Sequence, residues 1–598
     1  MKKAANKKSQ PAKRRASGAM RSPAHAPAIV RWRYFTAGGC CAVMALWLLW
    51  HLASIQVLPS EERGYKFLQD QGQARSLRLE SINANRGVIT DRNGEPLAVS
   101  SPVLSICANP QVLVNVKEQW QPLAEALGMP TKELADLVQR YATKEFVYLR
   151  RHLPPAAARE ILAMEFPGVF SQQEYQRFYP AGEVAAHVVG FTNVDDKGQE
   201  GIELAYESWL RGVPGAKQVM KDRKGRTIDD VRLLNAAQPG KDLTLSIDLR
   251  LQYMAYRVLK SAVVRHNAVS GSVVILDSVS GEVLAMVNQP SFNPNNRRQV
   301  AAAAVRNRAM TDLFEPGSTM KPLTVLAGLE SGRYSPHTPI DTSPGHVRVP
   351  GKTFYDYRNY GALNVTRVIT KSSNVGITKM AMNLEPDNVR NLFFRMGLGQ
   401  STGSGFPGES AGNLPDHSPW SAVERATFAF GHGLQVTTVQ LAQAYGVIAN
   451  DGLKKPVSLL KLSETQQSGE PVLDGTVARQ VLAMMETVLE PEGTATRARL
   501  KSYSAAGKTG TAQKVNNSGY AVDADFSVFA GIAPAKQPRI VVAIMIDEAR
   551  NGLSGGGEVA APVFAEIAEA ALRILQVPPD KAPAQFTGDD AATKGPLS

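Results

Sequence analysis

Hydrophobic and polar positions fall into distinct regimes along this chain. Residues 34–60 carry no charge, and residues 42–50 are apolar throughout. As a helix that stretch would be about 40 Å long, enough to cross a bilayer. Trp32, Tyr34, Trp47 and Trp50 stand where interfacial aromatics belong. Further on, strand-like pieces surround residues 86–94, where Asn93-Gly94 is a hairpin signal. Helical periodicity follows near residues 119–127, 132–141 and 155–164. Pro239-Gly240 marks a boundary, after which the pattern changes. Residues 243–247 read as a strand and 248–266 as a helix, and 273–276 with 283–287 form a hairpin around Ser280-Gly281. Residues 526–532 and 540–546 predict neighbouring antiparallel strands, and 561–575 a closing helix. The fold class is α+β, an antiparallel sheet flanked by helices.

These regimes predict five segments: a basic cytoplasmic tail over 1–33, a transmembrane helix over 34–58, an N-terminal α+β domain over 59–240, a second domain over 241–576, and a disordered Pro-, Ala- and Asp-rich tail over 577–598. About 540 residues beyond the membrane segment are too many for one core.

Charge sharpens the picture. Lys2, Lys3, Lys7, Lys8, Lys13, Arg14, Arg15, Arg21, Arg31 and Arg33 precede the first acid, Glu61, and account for most of the net charge of +13. That excess implies a tail on anionic lipid rather than nucleic-acid binding. The positive-inside rule puts the tail in the cytoplasm and everything after Ser60 outside. A cleaved signal peptide is the alternative, and the long basic leader without a clear small-x-small site favours an uncleaved anchor. Of three cysteines, Cys40 and Cys41 fall in the membrane segment, so Cys107 has no partner outside and no intrachain disulfide is expected.

Three motifs carry the chemistry. Ser318-Thr319-Met320-Lys321, Ser372-Ser373-Asn374 and Lys508-Thr509-Gly510-Thr511 read in order as SxxK, SxN and KTGT. Each is weak alone; the ordered set is the pattern of serine acyl-transferases that open a D-alanyl-D-alanine peptide or a β-lactam. A serine hydroxyl needs a base. If Ser318 opens a helix, Lys321 lies beside it on the same face. Pro322 is tolerated only in a first turn, which fixes the start close to Ser318. Lys321 acts as base only when neutral, and burial with Lys508 as a second cation would favour that. Ser372 is placed to pass a proton between Lys321, Lys508 and a leaving amine, and Asn374 to accept from a lysine. The KTGT segment is expected on an edge strand, where an extended peptide adds as one more strand. Gly507 and Gly510 would let its backbone come close, while Lys508, Thr509 and Thr511 hold its carboxylate. The backbone N–H groups of Ser318 and Thr511 are the candidate oxyanion hole.

Blander readings apply elsewhere. Gly507-Lys508-Thr509 could suggest a phosphate loop, but Ser502 stands where that loop needs glycine. The run from Gly397 to Gly408 reads as loop, and His432 as a structural or rim residue. No HExxH, paired CxxC or His/Cys cluster occurs, so neither a metal nor another cofactor is expected.

On these motifs the chain resembles the class B penicillin-binding proteins over nearly its full length. Arg86-Gly87 with Asp91-Arg92-Asn93-Gly94, then Arg177-Phe178-Tyr179-Pro180-Ala181-Gly182 and Gly201-Ile202-Glu203, resemble the signatures of that family's pedestal domain. Lys371 to Gly376, and Phe406-Pro407-Gly408-Glu409 with Gly412-Asn413-Leu414-Pro415, resemble its division branch. The resemblance implies an elongated, dimerisation-type pedestal over 59–240 and a β-lactamase-like transpeptidase domain over 241–576. It implies peptidoglycan stem peptides, lipid-linked or on nascent glycan, as substrates, β-lactams as acylating inhibitors of Ser318, and meso-diaminopimelate as the resolving amine. It also implies an inner-membrane protein with its catalytic domain in the periplasm at the division septum, beside the FtsW glycan polymerase and other division proteins.

One departure stands out. Close relatives within that family carry aromatic residues in the loop before the last helix, where they wall the acyl pocket. Here Asn551-Gly552-Leu553-Ser554-Gly555-Gly556-Gly557 implies a looser pocket. The nearest rival function is a D,D-carboxypeptidase or β-lactam hydrolase using the same serine. A β-lactam sensor would need a cytoplasmic signalling domain, and a scaffold would need none of the motif residues.

Overall fold

Strands that alternate or run apolar need hydrogen-bonded neighbours, and most of the long ones here find them in two five-stranded sheets. The computed structural model describes residues 31–57, 66–67, 77–221, 227–417, 419–516 and 519–581. The basic tail over 1–30, the start of the N-terminal domain at 59–65 and the tail over 582–598 lie outside the described residues. The chain divides into two units, Met1–Leu79 with Gln218–Val231, and Glu80–Lys217 with Arg232–Ser598. The first contains α1 (Arg31–Gln56), long and apolar enough to cross a membrane and buried nowhere along its length.

In the second unit, β1 (Ile89–Thr90) turns at Asn93-Gly94 into the long β2 (Pro96–Ala108), as the hairpin signal predicts. After α2 (Trp120–Leu127) and α3 (Thr131–Arg140), β3 (Val147–Leu153) pairs with β2 on one edge. After α4 (Pro155–Leu162), β4 (Val169–Phe178) pairs along its whole length with the other. Three residues behind the pedestal resemblance, Arg86, Arg177 and Glu203, meet in one place. Glu203 is fully buried between Arg86 Nε at 2.6 Å and Arg177 Nε at 2.6 Å. Such a buried set holds because each charge is paired; removing one partner strands the rest.

The expected strand over 243–247 is shorter. Only β5 (Leu243–Thr244) forms, parallel to β1, because Asp248 leaves the strand early to cap α5 (Leu249–Arg265) by accepting from Arg250 N. The larger sheet contains β6 (Ser270–Asp277), β7 (Val283–Gln289), β10 (Ala506–Asn516), β11 (Gly519–Ala533) and β12 (Ile540–Asp547) in the order β7-β6-β12-β11-β10. All its pairings are antiparallel. Every residue of β6, β7 and β12 is buried, so both faces are covered. Successive strand residues point to opposite faces. Gly271 touches Leu259 of α5, and Ser272 Oγ lies 2.7 Å from Thr438 Oγ1 of α9 (Thr438–Ala449), which places those helices on opposite sides. The closing helix α10 (Ala560–Ile574) packs beside α5.

The C-terminal boundary differs from expectation. Residues 577–581 are ordered, not disordered: Tyr503 donates to Val577 O at 2.9 Å and Ser504 N to Asp580 Oδ1 at 2.6 Å. Composition points to a loose tail, but two polar partners outside the tail hold its start.

Candidate active site

The nucleophile candidate sits in a turn ahead of a helix, not in its first turn. Gly317–Met320 is a 3-10 turn, and α6 (Lys321–Glu330) begins only at Lys321, with Pro322 as its second residue. Residues three apart eclipse in a 3-10 turn, so Ser318 and Lys321 still share a face. Gly317 has φ +55°, a conformation glycine permits. A side chain there would press on Thr511 O at 3.0 Å. The turn is held from below: Tyr445 of α9 donates to Thr319 O at 2.8 Å, and Thr319 Oγ1 to Pro316 O at 2.7 Å.

SxN forms the joint between α7 (Val365–Lys371) and α8 (Asn374–Met382). Ser372 ends α7 in the left-handed conformation, φ +56°, an uncommon state for a non-glycine residue and one often found where function demands it. Ser373 caps α8 by accepting from Gly376 N at 2.8 Å.

KTGT lies on β10, the edge strand of the sheet, as the pattern predicts. The three motifs meet at one hydroxyl. Ser372 Oγ lies 3.1 Å from Lys321 Nζ and 3.0 Å from Lys508 Nζ. Lys321 Nζ also donates to Asn374 Oδ1 at 2.7 Å and to Ser372 O at 2.5 Å. Lys508 Nζ reaches Thr509 O at 3.2 Å and Thr509 Oγ1 at 3.3 Å. Both lysines are almost wholly buried, and burial disfavours the charged form. Lys321 is pulled down to about 7, with the Asp356 carboxylate opposing the fall. Lys508 is held well below the usual lysine range by burial and then by the Lys321 charge. A hydroxyl between two such amines can accept from one and donate to the other, the minimum needed to move a proton between them. Among the described residues the Ser318 hydroxyl takes part in no hydrogen bond; the Lys321 amine is directed at SxN instead.

Residues 271–569 match the penicillin binding protein transpeptidase domain, and residues 81–245 the penicillin-binding protein dimerisation domain. The probable peptidoglycan D,D-transpeptidase PbpC of Pseudomonas aeruginosa is 42% identical over 90% of this chain and 95% of its own. The peptidoglycan D,D-transpeptidase FtsI of Escherichia coli K12 is 40% identical over 94% of each chain. The crystal structure of a peptidoglycan synthetase from Bifidobacterium adolescentis superposes with a TM-score of 0.67 at 27% identity, covering 85% of this chain and 98% of that one. The chain belongs to the class B penicillin-binding proteins.

Two expectations about glycines in this penicillin-binding protein need correction. Gly507 and Gly510 serve internal packing rather than an approaching ligand. A Cβ on Gly507 would stand 2.6 Å from the Phe529 ring, and one on Gly510 would stand 2.6 Å from Pro316 O and 2.9 Å from Thr319 Cγ2. Bare glycine therefore lets β10 lie directly on the Ser318 turn. The end of the segment over 551–557 is likewise anchored, while residues 551–554 are exposed. Gly555 N donates to Ser527 Oγ at 3.0 Å and Gly556 N to Thr511 Oγ1 at 3.2 Å, and a Cβ on Gly556 would strike Val528 O at 2.1 Å. Backbone at Gly555 and Gly556 lies against the KTGT strand.

The sequence reading missed Asp356. Its carboxylate accepts from Ser373 Oγ at 2.6 Å and Val375 N at 3.0 Å, and Asn374 Nδ2 donates to Tyr355 O at 3.1 Å. Thr494, whose hydroxyl lies 3.1 Å from Thr509 Oγ1, was missed too. His432 binds Glu315 Oε2 through Nδ1 at 2.7 Å, and Gly433 N donates to Glu315 Oε1 at 2.9 Å. That pairing braces the segment entering the Ser318 turn and agrees with the structural reading of His432.

Proposed function

We propose that this protein is a peptidoglycan D,D-transpeptidase that cross-links stem peptides during division through a Ser318 acyl-enzyme. The observation that carries it is the Ser372 hydroxyl bridging two buried lysine amines at 3.1 and 3.0 Å. Lys321, neutral in a substantial fraction near pH 7, takes the Ser318 proton as Oγ attacks the penultimate D-alanine carbonyl. Ser372 relays that proton towards the departing D-alanine amine, with Lys508 on its far side. The N–H groups of Ser318 and Thr511 take the oxyanion; a Cβ on Gly317 would lie 3.5 Å from Thr511 N, so the two backbones run side by side. Thr509 and Thr511 on the edge strand receive the extended donor, and Lys508 and Asn374 orient it. An amine from a second stem then attacks the ester, forms the amide and returns the proton to Ser318.

α1 acts as a single-pass anchor in the inner membrane, with the N-terminus in the cytoplasm and the catalytic domain, residues 241–576, in the periplasm. The motifs that resemble the division branch support septal placement beside the FtsW glycan polymerase. Residues 59–240 serve as the pedestal.

Intact-protein mass spectrometry after incubation with benzylpenicillin tests the reading. A long-lived adduct on the native protein and none on Ser318→Ala is expected. Rapid loss of the adduct would replace the transferase by a hydrolase, and an adduct persisting on Ser318→Ala would remove Ser318 from its role.

A further inference from the structure

The second half of the reaction needs a place for the acceptor, and the three motifs supply none. Beside SxN, β8 (His346–Val349) and β9 (Lys352–Tyr355) form a two-stranded hairpin. Its register pairs His346 with Tyr355 and Arg348 with Thr353, so those side chains share one face. Val349 and Phe354 are buried on the other, where Phe354 meets Phe430 edge-on at 5.4 Å. The outer face is open. The His346 ring lies 5.7 Å from that of Tyr355, which is 65% exposed; Tyr357 is 96% exposed.

This face is cationic as well as aromatic. Among the described residues His346 and Arg348, which share it, and Arg358, which follows the hairpin, form no ion pair with a carboxylate; Lys352 falls on the other face, its Nζ 5.5 Å from the centre of the Phe354 ring. The one acid in the stretch, Asp356, is turned inward to Ser373 and Val375. The face is also fixed in place, since Asp356 and Tyr355 O together tie it to Ser373, Asn374 and Val375. Rings and guanidinium groups without a carboxylate partner, Arg358 resting 5.5 Å from the centre of the Tyr360 ring, suit a ligand with both a sugar face and carboxylates.

We infer that this hairpin is the acceptor subsite. It takes a second peptidoglycan stem, with carboxylates on Arg348 and Arg358 and the amino sugar against Tyr355 and Tyr357. The inference rests on the transpeptidase reading. The donor occupies the β10 edge and touches the SxN turn from the Lys508 side; the hairpin touches it through Ser373 and Asn374. The acceptor amine attacks the Ser318 ester carbonyl, the C–N bond forms, the C–O bond to Ser318 breaks, and the amine proton leaves for Ser318 Oγ.

Full-length protein carrying Tyr357→Ala, or Arg348→Ala with Arg358→Ala, tests it. Three rates are compared: acylation by benzylpenicillin, transfer from a D-alanyl thioester donor to a disaccharide-tetrapeptide, and transfer to free D-alanine. The expected result is about tenfold weaker transfer to the disaccharide-tetrapeptide, through a raised acceptor KM, with the other two rates within about twofold of the unsubstituted protein. Unchanged transfer to the disaccharide-tetrapeptide overturns the subsite. A parallel fall in all three rates also overturns it, because the hairpin would then only support SxN. Penicillin acylation without any transfer by the unsubstituted protein sinks the transpeptidase reading itself and the acceptor subsite with it.

Discussion

Replacing Asp356 by Asn changes one charge and one hydrogen-bonding atom, and the structure says what each does. Ser373 Oγ accepts from Gly376 N at 2.8 Å, so its single proton must go to Asp356 Oδ2 at 2.6 Å, while Oδ1 takes Val375 N at 3.0 Å. Asn offers only one acceptor oxygen, so one of the two donors faces an NH2 group in either orientation. Losing one charge-assisted bond costs about 1.5–3 kcal/mol. Expressed fully in the transition state, that is roughly a 10- to 150-fold slower acylation. The charge acts separately. Asp356 opposes the burial that pulls Lys321 to about 7, so its removal lowers the Lys321 value further. Acylation rises with pH as Lys321 loses its proton, and in Asp356→Asn that limb should move to lower pH while the plateau drops. Benzylpenicillin acylation rates followed from about pH 5 to about pH 9 read both effects. A plateau within about twofold of the native value with an unmoved limb would refute the reasoning. A lower plateau with an unmoved limb would leave Asp356 a brace without electrostatic reach.

Two other outcomes follow from the same geometry. Gly510→Ala puts a methyl group 2.6 Å from Pro316 O, which should destabilise the fold by about 1–3 kcal/mol and slow acylation by prising β10 from the Ser318 turn; thermal melting and penicillin labelling check both. Stability should rise with pH through about 7, because folded Lys321 and Lys508 are depressed while unfolded lysines keep their protons to about 10.4, so the unfolded chain binds more protons. Urea midpoints at about pH 6 and about pH 8 measure this, and Lys321→Met should flatten the rise.

The local features of this site were legible in the sequence because their signals are local. SxxK, SxN and KTGT each lie within four residues, and the edge position of β10 follows from where the alternating strands stop. What stayed hidden depends on distance along the chain. Asp356 meets Ser373 across 17 residues, and nothing in Tyr355-Asp356-Tyr357 announces it. Gly510 looked like room for a ligand because the turn that fills the space belongs to residues 316–319. Residues 577–581 looked loose because Tyr503 and Ser504, which hold them, lie more than 70 residues earlier. In each case a side chain's role is set by a partner that no spacing rule reaches.

The outermost strand of the main sheet, β10, is 11 residues long. A margin of that length is a template for any extended chain, including an unfolded copy of the same protein. Lys514 sits on it, held by Asp547 at 2.7 Å and Glu548 at 2.6 Å. A charged side chain at that point discourages a second strand from zipping along the outer half of the margin. The same residue would then guard the folded protein against sheet-to-sheet aggregation with its own copies.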